Sequence, residues 1–264
     1  MAGRGLVSRP LIVASHRRSG THLALDLLRS NAPDVRPRFM TLERIEPTHP
    51  RHIPVAEFAR RLRTRRGTVL VKTHALPGRI DWSTPEAAEF AAELLASSPT
   101  VYVHRDGRDV LVSLYHYMRS FTPDLEGVSF RDFIRSPTST RDGAGLNRAA
   151  YWQHHVLTWT AAEPAATASF EGLLTDLGAS LTEIADRVAL RLQPTVRPIQ
   201  LAARRRGPLG GLPQPRRWLR RPPRSTAIRP HAGASGSWRD AFGADDLAWF
   251  NVHAGKALRR LGHR

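Results

Sequence analysis

The sequence predicts an α/β fold in which a central parallel sheet is covered by helices on both faces. Three observations lead there: short, wholly apolar runs recur along the chain, helical periodicity fills the stretches between them, and each run ends in polar residues. Residues 11–15 (LIVAS) are the first run. A polar turn follows, then Leu23, Leu27 and Leu28 at helical spacing, ended by Asn31 and Pro33. Residues 68–72 (TVLVK) and 100–104 (TVYVH) repeat the β-branched run, with helical material at 85–96 between them, and residues 166–170 read as a weaker fourth strand. Strands apolar on both faces need cover on both, which gives a three-layer sandwich with right-handed crossovers and a ligand site beyond the carboxyl ends of the strands. Residues 204–230 break the pattern, since GPLGGLPQP and RRPPR suit neither helix nor strand, and read as a long loop. Beyond it, Leu247, Phe250, Ala254, Leu258 and Leu261 recur at helical spacing, with Asp245 and Asp246 at the start and Arg259 and Arg260 at the end, as the helix dipole favours. The expectation is one domain over 1–264, carrying an Arg/Pro/Gly-rich loop at 203–229.

Composition bounds the function classes. The chain has 264 residues, 41% hydrophobic and 24% charged, enough for a substantial core. No apolar run approaches the roughly 20 residues of a membrane span, and the most continuous, 90–96, contains Glu93. The amino-terminal stretch lacks a secretory pattern. With no cysteine, the chain has no disulfide, thiolate metal site or cysteine nucleophile, and a reducing cytoplasm is the expected location. The net charge is +17, from 40 basic and 23 acidic residues, and every basic residue except Lys72 and Lys256 is arginine. Nine arginines and no acid lie between Ala203 and Arg229. Such a balance attracts anions without choosing among nucleic acid, membrane headgroups and phosphorylated small molecules.

Three constellations sit where strands end. The first, Ser15-His16-Arg17-Arg18-Ser19-Gly20-Thr21, turns a strand into a helix, where amide groups and the positive end of the dipole form an anion cradle and Gly20 permits close approach. The nucleotide-triphosphatase loop would need glycine where Ser15 stands and lysine where Thr21 stands, so a kinase or ATPase reading fails at two defining positions. The second is Lys72-Thr73-His74, a mobile cation beside an imidazole that can take a proton near neutral pH. The third is His104-Arg105-Asp106-Gly107-Arg108-Asp109-Val110, running into a helix with a stripe of Val110, Leu114, Met118 and Phe121. Asp106 is placed to cap that helix together with Asp109. Arg105 and Ser113 are placed to grip one phosphate, the plainer alternative being a capped, salt-bridged helix start.

Together the three resemble the sulfotransferases that use 3′-phosphoadenosine-5′-phosphosulfate (PAPS). The family's Pro-Lys-Ser-Gly-Thr-Thr-Trp is similar to Arg17-Arg18-Ser19-Gly20-Thr21-His22-Leu23, and its Lys-Thr-His-Leu-Pro to Lys72-Thr73-His74-Ala75-Leu76-Pro77. Its Arg-Asn-Pro-Lys-Asp-Val-x-Val-Ser resembles the stretch from Arg105 through Asp109 to Ser113, and its Arg-Lys-Gly-x-x-Gly-Asp-Trp-Lys the stretch from His231 through Gly233 to Arg239. The resemblance implies a P-loop-like sulfotransferase fold. It also implies a reaction that moves a sulfuryl group from PAPS to a hydroxyl or amine, leaving 3′-phosphoadenosine-5′-phosphate (PAP), with no metal. By it, the backbone and hydroxyls of Ser19, Gly20, Thr21 and His22 would hold the 5′-phosphate, Arg105 and Ser113 the 3′-phosphate, and Arg17 and Arg18 would also bind the donor. Phe170, Arg229 and Gly233 would complete the nucleotide site. His74 would be the general base, Arg18 would face the bridging oxygen and Lys72 the sulfuryl oxygens.

Departures from the family pattern sharpen this. Arg18 replaces a lysine and, being always protonated, would neutralise charge rather than donate a proton. Leu23 stands where a tryptophan would stack on adenine, so a flat apolar contact or an aromatic from elsewhere, such as Trp218, would have to serve. His231-Ala232 replaces Arg-Lys, and Arg229 or an arginine between Arg216 and Arg224 would compensate. The arginine-rich loop would be a lid over the donor or a disordered basic segment. The expected partner is a small-molecule, glycan or lipid hydroxyl, with walls from residues 39–54, 116–132 and 144–155. No specific nucleic acid and no membrane span are expected. The rival readings are a nucleic-acid-binding protein using the arginine-rich segment and a kinase on the same fold.

Overall fold

The computed structural model describes residues 8–77, 82–120, 122–140, 143–198 and 235–263. In chain order the elements are β1 (Ser8–Ala14), α1 (Thr21–Asn31), β2 (Met40–Thr41), α2 (Val55–Arg63), β3 (Gly67–Thr73), α3 (Pro85–Ser97) and β4 (Thr100–His104). They continue with α4 (Gly107–Arg119), α5 (Phe130–Arg135), α6 (Arg148–Ala161), β5 (Ala166–Ser169), α7 (Phe170–Thr175), α8 (Leu177–Arg187) and α9 (Ala244–Arg260). The sheet order is β2-β3-β1-β4-β5 and every pairing is parallel, with Leu11 opposite Leu70 and Ala14 opposite both Thr73 and Tyr102.

Alternation along the strands makes the three layers. Leu11, Val13, Val101 and Val103 point to one face and pack on α1, α7 and α8 through Leu25, Leu28, Leu173 and Ile184. Ile12, Ala14, Val69, Val71 and Tyr102 point to the other and pack on α2 and α3 through Phe58, Leu62, Ala87 and Ala91. A third cluster, built from α4, α5, α6 and α9 around Trp152, Phe133 and Phe250, flanks the sheet. At about 25 cal/mol per Å² of apolar area removed from water, each fully covered Leu, Ile or Phe contributes roughly 2 kcal/mol, which is why doubly buried strands tolerate no polar residue until their ends.

The predicted strands and the last helix are where the sequence puts them, and the weak fourth strand ends one residue early because Phe170 begins α7. Strand β2 is new. At two residues it has no periodicity to read, yet its pairing of Met40 with Val71 and Thr41 with Lys72 ties the chain to the carboxyl end of β3. In the α4 stripe, Val110 is fully buried and Leu114 and Met118 pack on the third cluster, while Phe121 lies outside the described residues. So do the whole of 204–230, Trp218, Arg229, His231, Ala232 and Gly233, together with whatever they contribute.

Candidate active site

After β1 the chain runs toward β2 and β3, and after β4 it runs toward β5, so the strand order reverses between β1 and β4, the switch point beyond whose carboxyl ends open α/β sheets bind ligands. The turn from β1 into α1 fills one side of it. Arg18 (φ 70°) and Gly20 (φ 94°) are both left-handed and bend the chain sharply around Ser19. For arginine that conformation costs roughly 1 kcal/mol, and such strain is characteristic of functional turns. Helix α1 has no side-chain cap among the described residues, so no capping side chain takes its first amides. Ser19, 1% exposed, has a hydroxyl with no hydrogen-bond partner among the described residues. A buried donor left unmade is costly unless something outside the described residues takes it.

Two guanidinium groups converge on the same place. Arg18 donates from Nε to Ser113 Oγ at 3.1 Å and lies 4.7 Å over the Tyr117 ring on α4. Arg105, 6% exposed, lies 4.4 Å over the Phe170 ring with Asp109 3.8 Å away. Desolvation, and to a lesser degree the charge of Arg105, lower the proton affinity of Arg18. Phe170 is itself pressed on the turn: a Cβ at Gly20 would come 2.5 Å from its Cδ2. The ring is therefore a spacer between cradle and arginine.

The third side is the segment after β3. His74 Nδ1 lies 2.7 Å from the Ser15 carbonyl oxygen. A carbonyl only accepts, so Nδ1 carries the proton and Nε2 keeps the lone pair. The His74 pKa is held well below 6.5, first by burial and then by the charge of Lys72, so the imidazole is neutral near pH 7. Lys72, 9% exposed, has its pKa lowered by desolvation against the opposing pull of Glu43.

Of the residues the sequence singles out, Arg17, Arg18, Ser19, Gly20, Thr21, His22, Lys72, His74, Arg105, Ser113 and Phe170 all lie at this edge of the sheet. Arg17 and His22 are exposed there, and Thr21 is buried with its hydroxyl bonded to that of Ser15. Two expectations are corrected. Leu23, 4% exposed, belongs to the core beneath the sheet and offers adenine no contact area. Asp109 forms no capping box. Asp106 does cap α4, accepting from Arg108 N at 2.9 Å, but its own amide donates to Glu171 Oε1. The Asp109 carboxylate instead reaches across the chain to accept from Gly236 N, Ser237 Oγ and Trp238 N at 2.7, 2.9 and 3.0 Å.

Other participants carry no signal in the sequence. Glu43, in a 3-10 turn after β2, accepts from the His74 amide and from Thr73 Oγ1. His155 on α6 donates from Nε2 to the His74 carbonyl at 3.2 Å and accepts at Nδ1 from Tyr102 O–H at 3.0 Å. His16 meets His155 edge-on, their ring centroids 5.3 Å apart. Among the described residues there is no cluster of three metal-ligating side chains, and no helix is long and apolar enough to cross a membrane.

Solved structures share this architecture. A mouse sulfotransferase, SULT7A1, complexed with PAP superposes with a TM-score of 0.62 at 15% identity, over 96% of this chain and 85% of that one. Retinol dehydratase in complex with retinol and PAP gives 0.53 at 19% identity, over 96% and 82%. The same enzyme with androsterone and inactive cofactor PAP gives 0.52 at 19%, over 94% and 80%. At such identities the likeness is one of fold. No curated protein sequence matches this one. The sequence pattern of the sulfotransferase domain, however, runs through residues 8–262, nearly the entire chain, and by that match together with the fold and the strand-end cradle the chain belongs to the sulfotransferase domain family.

Proposed function

We propose that this protein transfers a sulfuryl group from PAPS to a hydroxyl or amine of a small acceptor by in-line displacement, with His74 as general base. The observation that carries the reading is the cradle. A buried serine hydroxyl without a partner among the described residues, an uncapped helix start and two converging guanidinium groups meet beyond the carboxyl ends of β1 and β4, an arrangement suited to a ligand with two separated anionic ends.

The residues present fit such a donor. Ser19, Gly20, Thr21 and His22, with Arg17 and Arg18, would hold its 5′-phosphate end, and the missing Cβ of Gly20 lets the Phe170 ring pack against that turn. Arg105 and Ser113 would hold the 3′-phosphate, and Phe170 would line the nucleotide. Arg229 and Gly233 enter from the sequence resemblance alone. When bound, PAPS supplies an activated sulfuryl group on a phosphosulfate bond. The chain supplies the rest. Lys72 brings positive charge to the transferring group from a desolvated position, where charge acts more strongly than in water. Arg18 adds fixed charge. His74 holds its proton on Nδ1 and presents Nε2 to the acceptor hydroxyl, whose proton it takes as the oxygen attacks. Most of the rate enhancement in such a site comes from placement and charge neutralisation.

The acceptor class is a small hydroxyl compound, and the solved retinol dehydratase complexes with retinol and androsterone favour apolar alcohols as the first to try. A reducing, cytoplasmic setting rests on the cysteine-free sequence. Titrating PAP, ATP and a DNA duplex in parallel tests the donor side. Selective binding of PAP is expected, whereas preference for ATP or for the duplex would reverse the reading. On the chemical side, a labelled-donor screen across phenols, sterols, retinoid alcohols and sugars should find an acceptor. His74→Ala should abolish transfer to it while keeping PAP affinity within a few fold.

A further inference from the structure

Segment 74–77 leaves the sheet at Thr73, where ladder hydrogen bonds stop, yet His74 is held at three points. Its side chain is fixed by Nδ1–H to the Ser15 carbonyl. Its amide donates to Glu43 Oε1, and its carbonyl accepts from His155 Nε2–H. We propose that Glu43 and His155 are positioning residues for the sulfuryl transfer, two jaws from opposite sides that grip the His74 backbone and so aim its imidazole. The inference deepens the proposed role of His74 and rests on it.

Each jaw is itself braced. Glu43 sits one turn beyond β2, and the pairing of Thr41 with Lys72 sets it against the end of β3. Its Oε1 takes the Thr73 hydroxyl at 3.0 Å as well as the His74 amide, and that hydroxyl in turn accepts from Ala75 N at 3.1 Å. Its Oε2 is buried with no partner among the described residues. A buried carboxylate oxygen left without donors costs stability, which the attraction between this carboxylate and the buried Lys72 offsets in part. His155 is fully buried. Because the His74 carbonyl can only accept, His155 carries its proton on Nε2, which leaves Nδ1 to accept from the Tyr102 hydroxyl. Tyr102 thus fixes the tautomer that makes His155 a donor. Beside it, the indole of Trp159 donates to the next carbonyl, Ala75, at 3.1 Å. The groups that bear on the His74 charge are Lys72 on β3, Arg17 in the first turn and His155 on α6, all disfavouring protonation, against the Ser15 carbonyl favouring it.

The test reads the imidazole directly, so it needs no acceptor. Protein labelled with ¹⁵N-histidine, with the His74 signals assigned through His74→Ala, reports tautomer and titration by long-range proton–nitrogen correlation. In the native protein His74 should be protonated at Nδ1 and should titrate well below pH 6.5. Glu43→Met and His155→Phe keep the volume and remove one jaw each. Either should give a mixed His74 tautomer and a titration moved up toward pH 6.5 as water reaches the freed segment. Glu43→Gln and His155→Gln, which keep an acceptor or a donor in place, should stay near the native behaviour. Tyr102→Phe should shift it in the same direction as His155→Phe by a smaller amount, a variant that still reports if the harsher ones fold poorly.

PAP affinity should stay within twofold throughout, because neither jaw belongs to the cradle. With 2-naphthol as acceptor, kcat should fall at least tenfold in the jawless variants at unchanged KM for PAPS, the scale expected of a misplacement near 1 Å. An unchanged His74 tautomer and titration in both Glu43→Met and His155→Phe sinks the proposal, as does a tenfold loss of PAP affinity. An active His74→Ala would instead sink the assignment of the base and leave the grip on its backbone a separate matter, decided by the nitrogen spectra.

Discussion

Gly20→Ala isolates the closest packing in the site. Gly20 has φ 94°, and an alanine there costs roughly 1 to 2 kcal/mol for the left-handed backbone alone. The new Cβ also starts 2.5 Å from Phe170 Cδ2. Ordinary carbon contact is about 3.5 Å, so the ring must retreat by about 1 Å. Phe170 is only 5% exposed, and Arg105 rides 4.4 Å above its face, so the retreat disturbs a cation–π contact worth about 1 kcal/mol. The sum is about 2 to 3 kcal/mol of stability. Because Arg105 moves with the ring, PAP should also bind about tenfold more weakly, which corresponds to about 1.4 kcal/mol. Urea unfolding and calorimetric titration with PAP measure the two quantities. A double-mutant cycle with Phe170→Ala separates them further, since without the ring Gly20→Ala should keep only its backbone cost and the coupling should be about 1 to 2 kcal/mol. If Gly20→Ala costs the same with and without the ring, the spacer argument is wrong.

Asp109→Ala removes three acceptor contacts to residues 236–238 and the strongest of the carboxylates that balance the buried Arg105 guanidinium, so it should destabilise by about 3 to 5 kcal/mol; Asp109→Asn, which keeps one acceptor oxygen, should lose less than half of that in a thermal scan. Arg105→Ala should weaken PAP binding at least tenfold by calorimetry, whereas His74→Ala should not, and equal effects from both would dissolve the division of roles. Stability should also depend on pH through His16 and His104, whose pKa values are lowered by burial to about 4. The unfolded chain takes up their protons near pH 6.5 and the folded one does not. Their contribution is therefore complete above pH 6.5 and falls away as pH drops toward 4, by up to about 3 kcal/mol for His16. A urea midpoint that stays flat from pH 7.5 to 4.5 would contradict this, and His16→Gln should reduce the slope.

What the sequence discloses follows from where local pattern and function coincide. Residues 15–21, 72–74 and 105–113 are legible because each combines the end of an apolar strand with the start of a loop or helix, so periodicity fixes the place and residue type suggests the chemistry. Glu43, His155 and Asp109 are illegible for the converse reason. Glu43 follows a strand of two residues, too short to declare itself, and its partners lie 30 and 31 positions away. His155 is one histidine on a helix whose other inward residues, Trp152, Val156 and Trp159, read as ordinary core. Asp109 looks like half of a capping box at the right spacing, and only the folded chain shows its carboxylate spent 127 residues away on Gly236. Leu23 fails differently. The motif alignment carries it to an adenine-stacking position, but leucine in the first turn of an amphipathic helix is drawn inward by the apolar face it shares with Leu27.

The convergence of the three motifs is a consequence of topology more than of any one contact. They follow β3, β1 and β4, which are consecutive in the sheet, and a parallel sheet brings all three carboxyl ends to one edge. Neighbouring strands are about 4.8 Å apart, so β3 and β4 are separated by about 10 Å with β1 between them. That interval separates the imidazole after β3 from the arginine after β4, with the turn after β1 seated between them. The packing traces the same path: His74 bonds to Ser15, Ser15 to Thr21, the Phe170 ring fills the place of a Gly20 Cβ, and Arg105 lies over that ring. An antiparallel arrangement would have sent one of the three ends to the far side of the molecule, and no choice of residues in the loops could have restored it.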